Sequence, residues 1–489
     1  MKIKLNNIGI VSNSTMSLDG LTIITGKNNS GKTTVGKALY SLLDAVSNIL
    51  VKFRNDRRLY IAKKLDDVTE ALDLFRIFVQ VLGLEENTTN ESPINSYPAI
   101  QELVNHEYRH NMSQSEIESF AHKLQDEITR VDIDELCNTN FLKYYVNHMI
   151  INEEDERNTS KIISEQLRRA NAILTELFST LEKDPQLIEY TRESINQTLN
   201  LEFSGQIQPV LFDVGNSKIE LYDDDTCCFN VNIVNNKVVN DGKPVFFTSP
   251  YKKVFFVDNP FVLDESVYSR IFLRNRIDTD PDSLLNANNI ISHNTKLRNT
   301  LRTKKQPTIL EQTILNESLK KVKNEIDSIV PGSFEFSPNG DFYVQNGTKL
   351  KVSNLATGSK MFSIIKILIE KGELGDSTML ILDEPEAHLH PSWQNHFAEM
   401  IVLLVKELRV NILLTTHSSN FVLALDAYMR KHEIEEKTNF YRTDFTDSGM
   451  VNYVCANDDI GSIYQDFLQY FSEVKMLRNN CLRNVGDES

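Results

Sequence analysis

Two short motifs at opposite ends of the chain constrain its fold more than any other feature. The stretch Gly26 to Thr33 has the form GxxxxGKT and lies between a buried apolar run, Leu21–Ile24, and a helical apolar pattern over 35–50. Asp383–Glu384 is a carboxylate pair directly after four apolar residues of a predicted strand. Lys32 and Asp383 are 351 positions apart (383 − 32). Because a compact P-loop fold closes this distance much sooner, the intervening chain must leave the domain and return.

The first motif predicts phosphate binding. A Gly-rich turn between a strand and a helix lets backbone N–H groups close around phosphate oxygens, and the helix N-terminus adds partial positive charge. We expect Lys32 to reach the β- and γ-phosphates and the Thr33 hydroxyl to ligate Mg²⁺. The strand and helix on either side disfavour the alternative, a Gly-rich turn on a surface loop. The predicted ATP site comprises Gly26, Lys27, Asn28, Asn29, Ser30, Gly31, Lys32, Thr33 and Thr34.

Two further strand ends complete the predicted site. A buried strand delivers Asp383 and Glu384 to the carboxyl edge of a parallel sheet, where α/β folds place their ligands. We expect Asp383 to hold the Mg²⁺ shell and Glu384 to orient and polarise the attacking water. A third apolar strand ends in His417, which is placed to bond the γ-phosphate or that water. A lone histidine after a strand is usually structural, and only the order of the motifs favours the catalytic interpretation.

The split between the motifs resembles the SMC-like branch of ABC ATPases. The run 382–391 looks like the LDEPExxLHP stretch of OLD-type and related bacterial ATPases, the loop 26–33 like their GxNNSGKS, and 415–418 like their xTHS. The resemblance covers roughly residues 1–45 and 345–425. It implies an α/β fold: a P-loop ABC-type ATPase head assembled from both chain ends, interrupted by a large, mainly helical insertion. ATP and Mg²⁺ are the cofactors that it implies.

The resemblance also implies a signature motif that caps the ATP held by a partner protomer. The segment 355–359 stands at the right place, with Gly358 25 positions before Asp383 (383 − 358). Ala356 replaces the usual serine, so Thr357 or Ser359 would have to supply the hydroxyl, and the loss favours slow turnover or a mainly nucleotide-gated role. Each complete site would then need two chains, in a homodimer or higher even oligomer. The in-trans signature comprises Leu355, Ala356, Thr357, Gly358 and Ser359.

Periodicity gives the predicted organisation of the chain. Apolar residues from Ile163 to Leu181 recur at spacings of four and three, which favours a short coiled-coil-like hairpin; an amphipathic helix packed on a core is the alternative. Strand patterns then occupy 202–257, with an Asn339–Gly340 hairpin further on. The predicted parts are the N-terminal part of the head (1–55), the helical insertion (56–201), a β-rich part of the head (202–260), a helical linker or lobe (261–330), the C-terminal part of the head (331–430) and a C-terminal hairpin and helix (431–489).

Composition limits the setting. No run of 18 uncharged apolar residues occurs, and the five cysteines form no CxxC pair, so we expect a cytoplasmic protein with reduced thiols and no membrane partner. With 52 basic against 68 acidic residues and a net charge of −16, nucleic acid could be bound only through a local basic patch. The two candidate stretches, with solvated helix faces as the alternative, are Lys52, Arg54, Arg57, Arg58, Lys63 and Lys64, and Lys296, Arg298, Arg302, Lys304 and Lys305.

Two weaker site signals remain open. His388, His390 and His396 invite a zinc interpretation, but they lack the Cys or carboxylate partners of such sites, and metal binding is disfavoured. The nucleotide-sensing glutamine of the family has no clear counterpart. The segment 258–260 follows a predicted strand and is the best positional candidate, although it contains no Gln.

The whole-chain plan looks closest to the ATPase subunits of bacterial anti-phage systems, among them the Septu ATPase (also found with some retrons), the PARIS ATPase and OLD-family proteins. This implies an ATPase that senses invasion and controls a separate effector nuclease of the HNH or Toprim type. The 72 residues after His417 (489 − 417) are too few for a Toprim domain. The alternative is an SMC-like repair or maintenance ATPase acting directly on DNA. The predicted amphipathic helix over 463–477 is a candidate for partner docking, or packs on its own core.

Overall fold

A computed structural model describes residues 1–72, 97–104, 112–132, 153–182, 187–212, 215–224, 226–239, 249, 251–264, 291–303, 322–337, 340–465 and 472–478. The chain divides into two compact units. We call the first unit the head; it comprises Met1–Ile49, Thr191–Asp278 and Asn289–Ser489. We call the second the helical unit; it comprises Leu50–Tyr190 and Thr279–Asn288.

Among its described residues, the head contains one large sheet. Its strands are β1 (Lys2–Ile8), β2 (Val11–Ser17), β3 (Leu21–Thr25), β4 (Ser217–Asp223), β5 (Thr226–Val234), β6 (Lys237–Val239), β7 (Lys253–Val257), β11 (Thr378–Asp383), β12 (Asn411–Thr416), β13 (Thr438–Phe445) and β14 (Val451–Cys455). These eleven described strands lie in the order β6-β5-β4-β1-β2-β14-β13-β3-β12-β11-β7. The half from β6 to β2 is antiparallel, and the half from β13 to β7 is parallel.

The parallel half explains the apolar runs of the sequence. All of β3 is buried, as are five of the six residues of both β11 and β12, because helices cover both faces of a parallel sheet. The head helices are α1 (Lys32–Val46), α6 (Leu187–Glu202, in the head from Thr191), α7 (His293–Arg302), α8 (Thr357–Glu370), α9 (Pro391–Leu408) and α10 (Ser419–Lys431). Side chains of α1 belong to the core on one face of the sheet, and side chains of α8, α9 and α10 belong to the core on the other face.

The C-terminal hairpin is part of the head sheet. β13 pairs in parallel with β3, β14 turns back antiparallel to β13, and Val451 of β14 pairs with Val11 of β2. Phe440 and Tyr441, successive residues of β13, are buried in the cores on opposite faces of the sheet. The sequence placed 431–489 outside the head, whereas this hairpin joins the antiparallel half of the sheet to the parallel half.

The helical unit packs as a bundle. Its described helices are α2 (Ile49–Ala71), α3 (Pro98–Val104), α4 (Gln114–Arg130) and α5 (Glu153–Glu182). The seam of α5 from Ile163 to Leu177 is buried, and it shares one cluster with Leu65 of α2 and Leu124 of α4. The seam therefore packs on a core shared by several helices. This matches the alternative interpretation of the sequence, an amphipathic helix packed on a core.

A separate antiparallel sheet holds β8 (Ser333–Ser337), β9 (Gly340–Gln345) and β10 (Thr348–Lys351). The hairpin predicted at Asn339–Gly340 joins the first two strands, although Asn339 itself lies outside the described residues. The unit boundaries fall at 49/50 and 190/191, not at the predicted 55/56 and 201/202, because α2 follows α1 after two residues and α6 runs on into the head. The predicted fold class, an α/β P-loop head built from both chain ends around a helical insertion, is confirmed.

Candidate nucleotide-binding site

The loop between β3 and α1 has a shape that only glycine permits at two positions. Gly31 caps α1 with φ 72°, and a Cβ there would lie 2.6 Å from Ile10 Cγ2. A Cβ on Gly26 would lie 1.8 Å from Thr443 Oγ1 of β13. Both glycines of the motif GxxxxGKT are thus required, Gly26 by steric contact and Gly31 by steric contact and a left-handed backbone.

Lys32 joins this loop to the carboxylates. Its side chain is buried, and Nζ donates to the carbonyl oxygens of Lys27 at 2.8 Å and Gly26 at 3.1 Å. The same Nζ lies 3.3 Å from Glu384 Oε1. An ammonium held at the first turn of α1, beside backbone N–H groups, is the arrangement that binds phosphate.

Asp383 accepts hydrogen bonds from two hydroxyl groups. Thr33 Oγ1 donates to Oδ2 at 2.7 Å, and the Thr415 hydroxyl donates to Oδ1. Burial raises the pKa of Asp383, the two hydrogen bonds oppose this, and the charge of Glu384 adds to it. A carboxylate and a hydroxyl in contact are hard oxygen donors, which Mg²⁺ takes together with phosphate oxygens. Thr33 and Asp383 therefore fit the predicted metal.

Glu384 has a left-handed backbone at the end of β11. Its φ is 47°, a left-handed value that is uncommon outside glycine, and its N–H donates to both the carbonyl and the hydroxyl oxygen of Thr415 at 3.1 Å. This turn at the strand end places Oε1 near Lys32, while Oε2 lies 3.1 Å from His417 Nδ1. The carboxylate therefore stands between a cation and an imidazole, which suits a group that polarises water.

His417 is placed by a residue that sequence reasoning missed. Glu386 is 1% exposed; its Oε1 accepts the Thr416 hydroxyl and the His417 backbone N–H at 3.3 Å. Burial raises the pKa of Glu386, although these hydrogen bonds and the nearby His417 oppose the shift. The signal was present, since Glu386 is the second glutamate of the LDEPE run, but no local pattern shows that this carboxylate ties β11 to β12.

The predicted signature segment, 355–359, lies beside the carboxylates of the site. α8 begins at Thr357, and a Cβ on Gly358 would lie 3.0 Å from Leu389 Cδ2. Thr357 and Gly358 line a cavity of about 140 Å³ together with Asp383 and Glu384. Of the two open hydroxyl candidates, Thr357 lines this cavity, while the Ser359 carbonyl accepts the Ser363 hydroxyl at 2.6 Å.

The family described as AAA ATPase domain matches residues 1–422, which include both halves of this site. The chain belongs to this AAA ATPase family. Among solved structures, the SMC head domain from Thermotoga maritima aligns at 10% identity and TM-score 0.35, covering 93% of this chain and 97% of that one. An Smc head with an extended coiled coil from Pyrococcus furiosus, bound to the C-terminal domain of ScpA, aligns at 12% and 0.30, covering 97% and 98%. No curated protein matches.

The histidines considered for zinc have other partners in this AAA ATPase. His390 Nδ1 lies 2.8 Å from Ser392 Oγ, and His396 Nδ1 lies 2.9 Å from Glu325 Oε1. The His388 ring lies edge-on to the ring of Phe261, with centroids 6.1 Å apart. Within the part of the chain that the structure describes, no group of three or more His, Cys, Asp or Glu side chains could hold a metal ion.

Several residues of the two basic stretches pair with carboxylates of the same compact unit. Burial lowers the pKa of both Lys52 and Lys296 to about 8. Charges that are used within the fold contribute less to a phosphate-binding surface, which weakens the DNA-patch interpretation. Lys304 and Lys305 lie outside the described residues. The observed pairs are Arg57 with Glu118, Lys64 with Glu176, Lys296 with Asp44, and Arg302 with Asp341.

The predicted C-terminal helix is described at 460–465 and 472–478. Ile463 is buried and Tyr464 packs on the head core, whereas Val474 is 65% exposed. Its Phe467, Leu468 and Phe471 lie outside the described residues, so partner docking stays a prediction. Among the helices that the structure describes, none is long and apolar enough to cross a membrane.

Proposed function

We propose that this chain is an ABC-type, SMC-like ATPase that binds Mg-ATP and hydrolyses it slowly in a head-to-tail dimer. One observation carries the proposal. Glu384 lies between Lys32 Nζ at 3.3 Å and His417 Nδ1 at 3.1 Å, directly beside the Thr33–Asp383 pair. Residues from three parallel strand ends thus provide a phosphate cation, an oxygen donor pair for a metal and a base for water, which phosphoryl transfer to water requires.

Each residue then has a stated role. The backbone N–H groups of Gly26–Thr34 and the Lys32 ammonium would hold the phosphates, and Thr33 with Asp383 would hold Mg²⁺, which would supply positive charge at the phosphate oxygens. Glu384 orients and polarises the attacking water, and His417 bonds the γ-phosphate or that water. Glu386 keeps His417 in place through its backbone N–H.

The dimer follows from the signature segment, which would cap the nucleotide on the second protomer. Mixing inactive chains tests this. Lys32→Ala removes the phosphate cation, and Ser359→Arg obstructs the signature; a heterodimer of the two keeps one intact site. An equal mixture should recover about a quarter of wild-type hydrolysis, because half of the dimers are mixed and each has one of its two sites. Ser353→Arg, an exposed position just before the motif, should be active by itself.

If the mixture stays as inactive as its two components while each chain still folds, the head-to-tail dimer is refuted. The assignment of the P-loop is not affected by that outcome, because nucleotide binding by the wild type is measured separately.

The finer role that we propose is that of an anti-phage defence subunit in the cytoplasm that senses invasion and controls a separate HNH or Toprim nuclease through the ATP-dependent dimer. The LDEPExxLHP run over 382–391 and the GxNNSGK loop support it. Co-expression with the genomic neighbours, followed by co-purification with and without ATP, tests the role. If a nuclease is captured and its capture depends on ATP, the role is supported. If the chain protects cells from phage but no nuclease is captured, the control of an effector is contradicted.

A further inference from the structure

A buried histidine joins two carboxylates next to the proposed metal site. His293 begins α7 and is 7% exposed. Its Nδ1 lies 2.6 Å from Glu202 Oε2, and its backbone N–H donates to Glu202 Oε1 at 3.1 Å. On the other side of the ring, Nε2 lies 3.0 Å from Asp258 Oδ2. Three ionisable groups from the end of α6, the start of α7 and the end of β7 therefore form one chain of charges.

Packing fixes the imidazole between these carboxylates. The ring lies over Phe256 of β7, with centroids 4.5 Å apart, and against the edge of Tyr40 of α1 at 5.8 Å. Lys296, one turn further along α7, pairs with Asp44 of α1. A buried ring in contact with two aromatic side chains has a fixed direction, so His293 can hold a partner side chain in one orientation.

Asp258 is the residue that connects this chain to the site. Val257 pairs with Leu382 in the parallel register of β7 and β11, so Asp258 and Asp383 follow at adjacent strand ends. Both carboxylates line the cavity that also holds Glu384. Two carboxylates at adjacent strand ends are not easily ionised together unless a cation compensates one of them.

His293 supplies that cation. Burial acts to lower the pKa of His293, but Asp258 and Glu202 outweigh it and raise the pKa to about 9. Burial acts to raise the pKa of Asp258, and the pair with His293 outweighs it, so that the pKa lies below its usual range. A buried ion pair is weak evidence for stability, because apolar residues of similar volume often serve as well. Its position beside the site therefore favours a functional role.

We propose that His293 is a positioning residue that holds the Asp258 carboxylate beside Asp383 and thereby sets the affinity of the nucleotide site for its divalent cation. The inference rests on the proposed ATP site. Glu202 holds the imidazole at the nitrogen opposite Asp258. Carboxylates outside a metal site orient the side chains that bind the metal in the same way. Neither Glu202 nor His293 touches the nucleotide in this assignment.

The test measures Mn²⁺ binding by electron paramagnetic resonance, on the full chain with a non-hydrolysable ATP analogue. His293→Gln and Asp258→Asn should each weaken the nucleotide-dependent Mn²⁺ affinity by about tenfold or more, the range for orienting residues at metal sites. The double variant should bind no more weakly than the weaker single variant, because both changes remove the same interaction. Lys296→Gln breaks another, partly buried ion pair of α7 and should keep the wild-type affinity.

Three outcomes overturn the inference: wild-type Mn²⁺ affinity in His293→Gln, additive losses in the double variant, or an equal loss in Lys296→Gln. If His293→Gln does not fold, Glu202→Gln decides, since it keeps the ring and removes its anchor; wild-type affinity there also overturns the inference. Absence of nucleotide-dependent Mn²⁺ binding in the wild type would instead refute the proposed ATP site.

Discussion

Thr33 Oγ1 donates a hydrogen bond to Asp383 Oδ2 at 2.7 Å across 350 positions of sequence. Thr33 lies in the first turn of α1 and Asp383 ends β11, two strands away from β3 in the sheet. Parallel strands place their carboxyl ends at one edge, so the hydroxyl and the carboxylate meet where the fold exposes them to a ligand. This contact is the structural basis of the predictions below.

Lys32→Ala is expected to weaken Mg-ATP binding by roughly 10- to 100-fold, because hydrogen bonds to a charged group contribute about 1.5–3 kcal/mol. Titration calorimetry measures the change directly. Lys37→Ala is the matched control, since Lys37 lies on the same helix with its Nζ 5.9 Å from the Phe203 ring centroid. Equal affinities for Lys32→Ala and the wild type would contradict the P-loop assignment.

Glu384→Gln should lower the hydrolysis rate by about 10²- to 10⁴-fold while ATP still binds, because the amide cannot act as a base toward water. The unhydrolysed nucleotide should also hold the dimer together. Single-turnover kinetics and light scattering with Mg-ATP measure these two effects. Glu436→Gln, an exposed position, should behave as the wild type. Wild-type hydrolysis by Glu384→Gln would show that another group activates the water.

Asp383→Asn should raise the thermal stability of the nucleotide-free protein at neutral pH. Burial raises the pKa of Asp383, so the folded state binds a proton more readily than the unfolded state, and stability is lost as the pH rises through the folded pKa. The neutral amide removes this cost. The gain over the wild type should therefore shrink as the pH falls toward 4, because protonation of the carboxyl removes the same buried charge. Melting curves at both pH values decide; a gain that is independent of pH would contradict this explanation.

Leu174→Ala should destabilise the helical unit by about 2–5 kcal/mol, since a buried leucine leaves both lost apolar contact and a cavity. Leu174 is fully buried in the cluster that α2, α4 and α5 share. Ile162→Ala on the same helix, with Ile162 46% exposed, should stay within about 0.5 kcal/mol. Denaturant unfolding followed by circular dichroism compares the two. Equal effects would mean that the α5 seam does not face a core.

The local features of the site could be predicted from the sequence. The Gly-rich turn at 26–31, the apolar strands β3, β11 and β12 and the carboxylates at the end of β11 depend on short segments, because turn geometry and strand burial are properties of neighbouring residues. The spacing of 351 positions also indicated an inserted unit, and the head built from both chain ends is confirmed. The roles of Lys32, Glu384 and His417 stay predictions.

Only the tertiary structure showed which distant groups meet. It built β13 and β14 into the sheet and turned Lys296 and Arg302 inward to Asp44 and Asp341. The contacts of Glu386 with β12 join residues 30 and 31 positions apart, and His293 meets Glu202 across 91 positions. Such pairs leave no periodic pattern, because their partners are chosen by the packing of separate elements. The P-loop could thus be predicted from nine residues, whereas the contacts around it could be identified only in the folded structure.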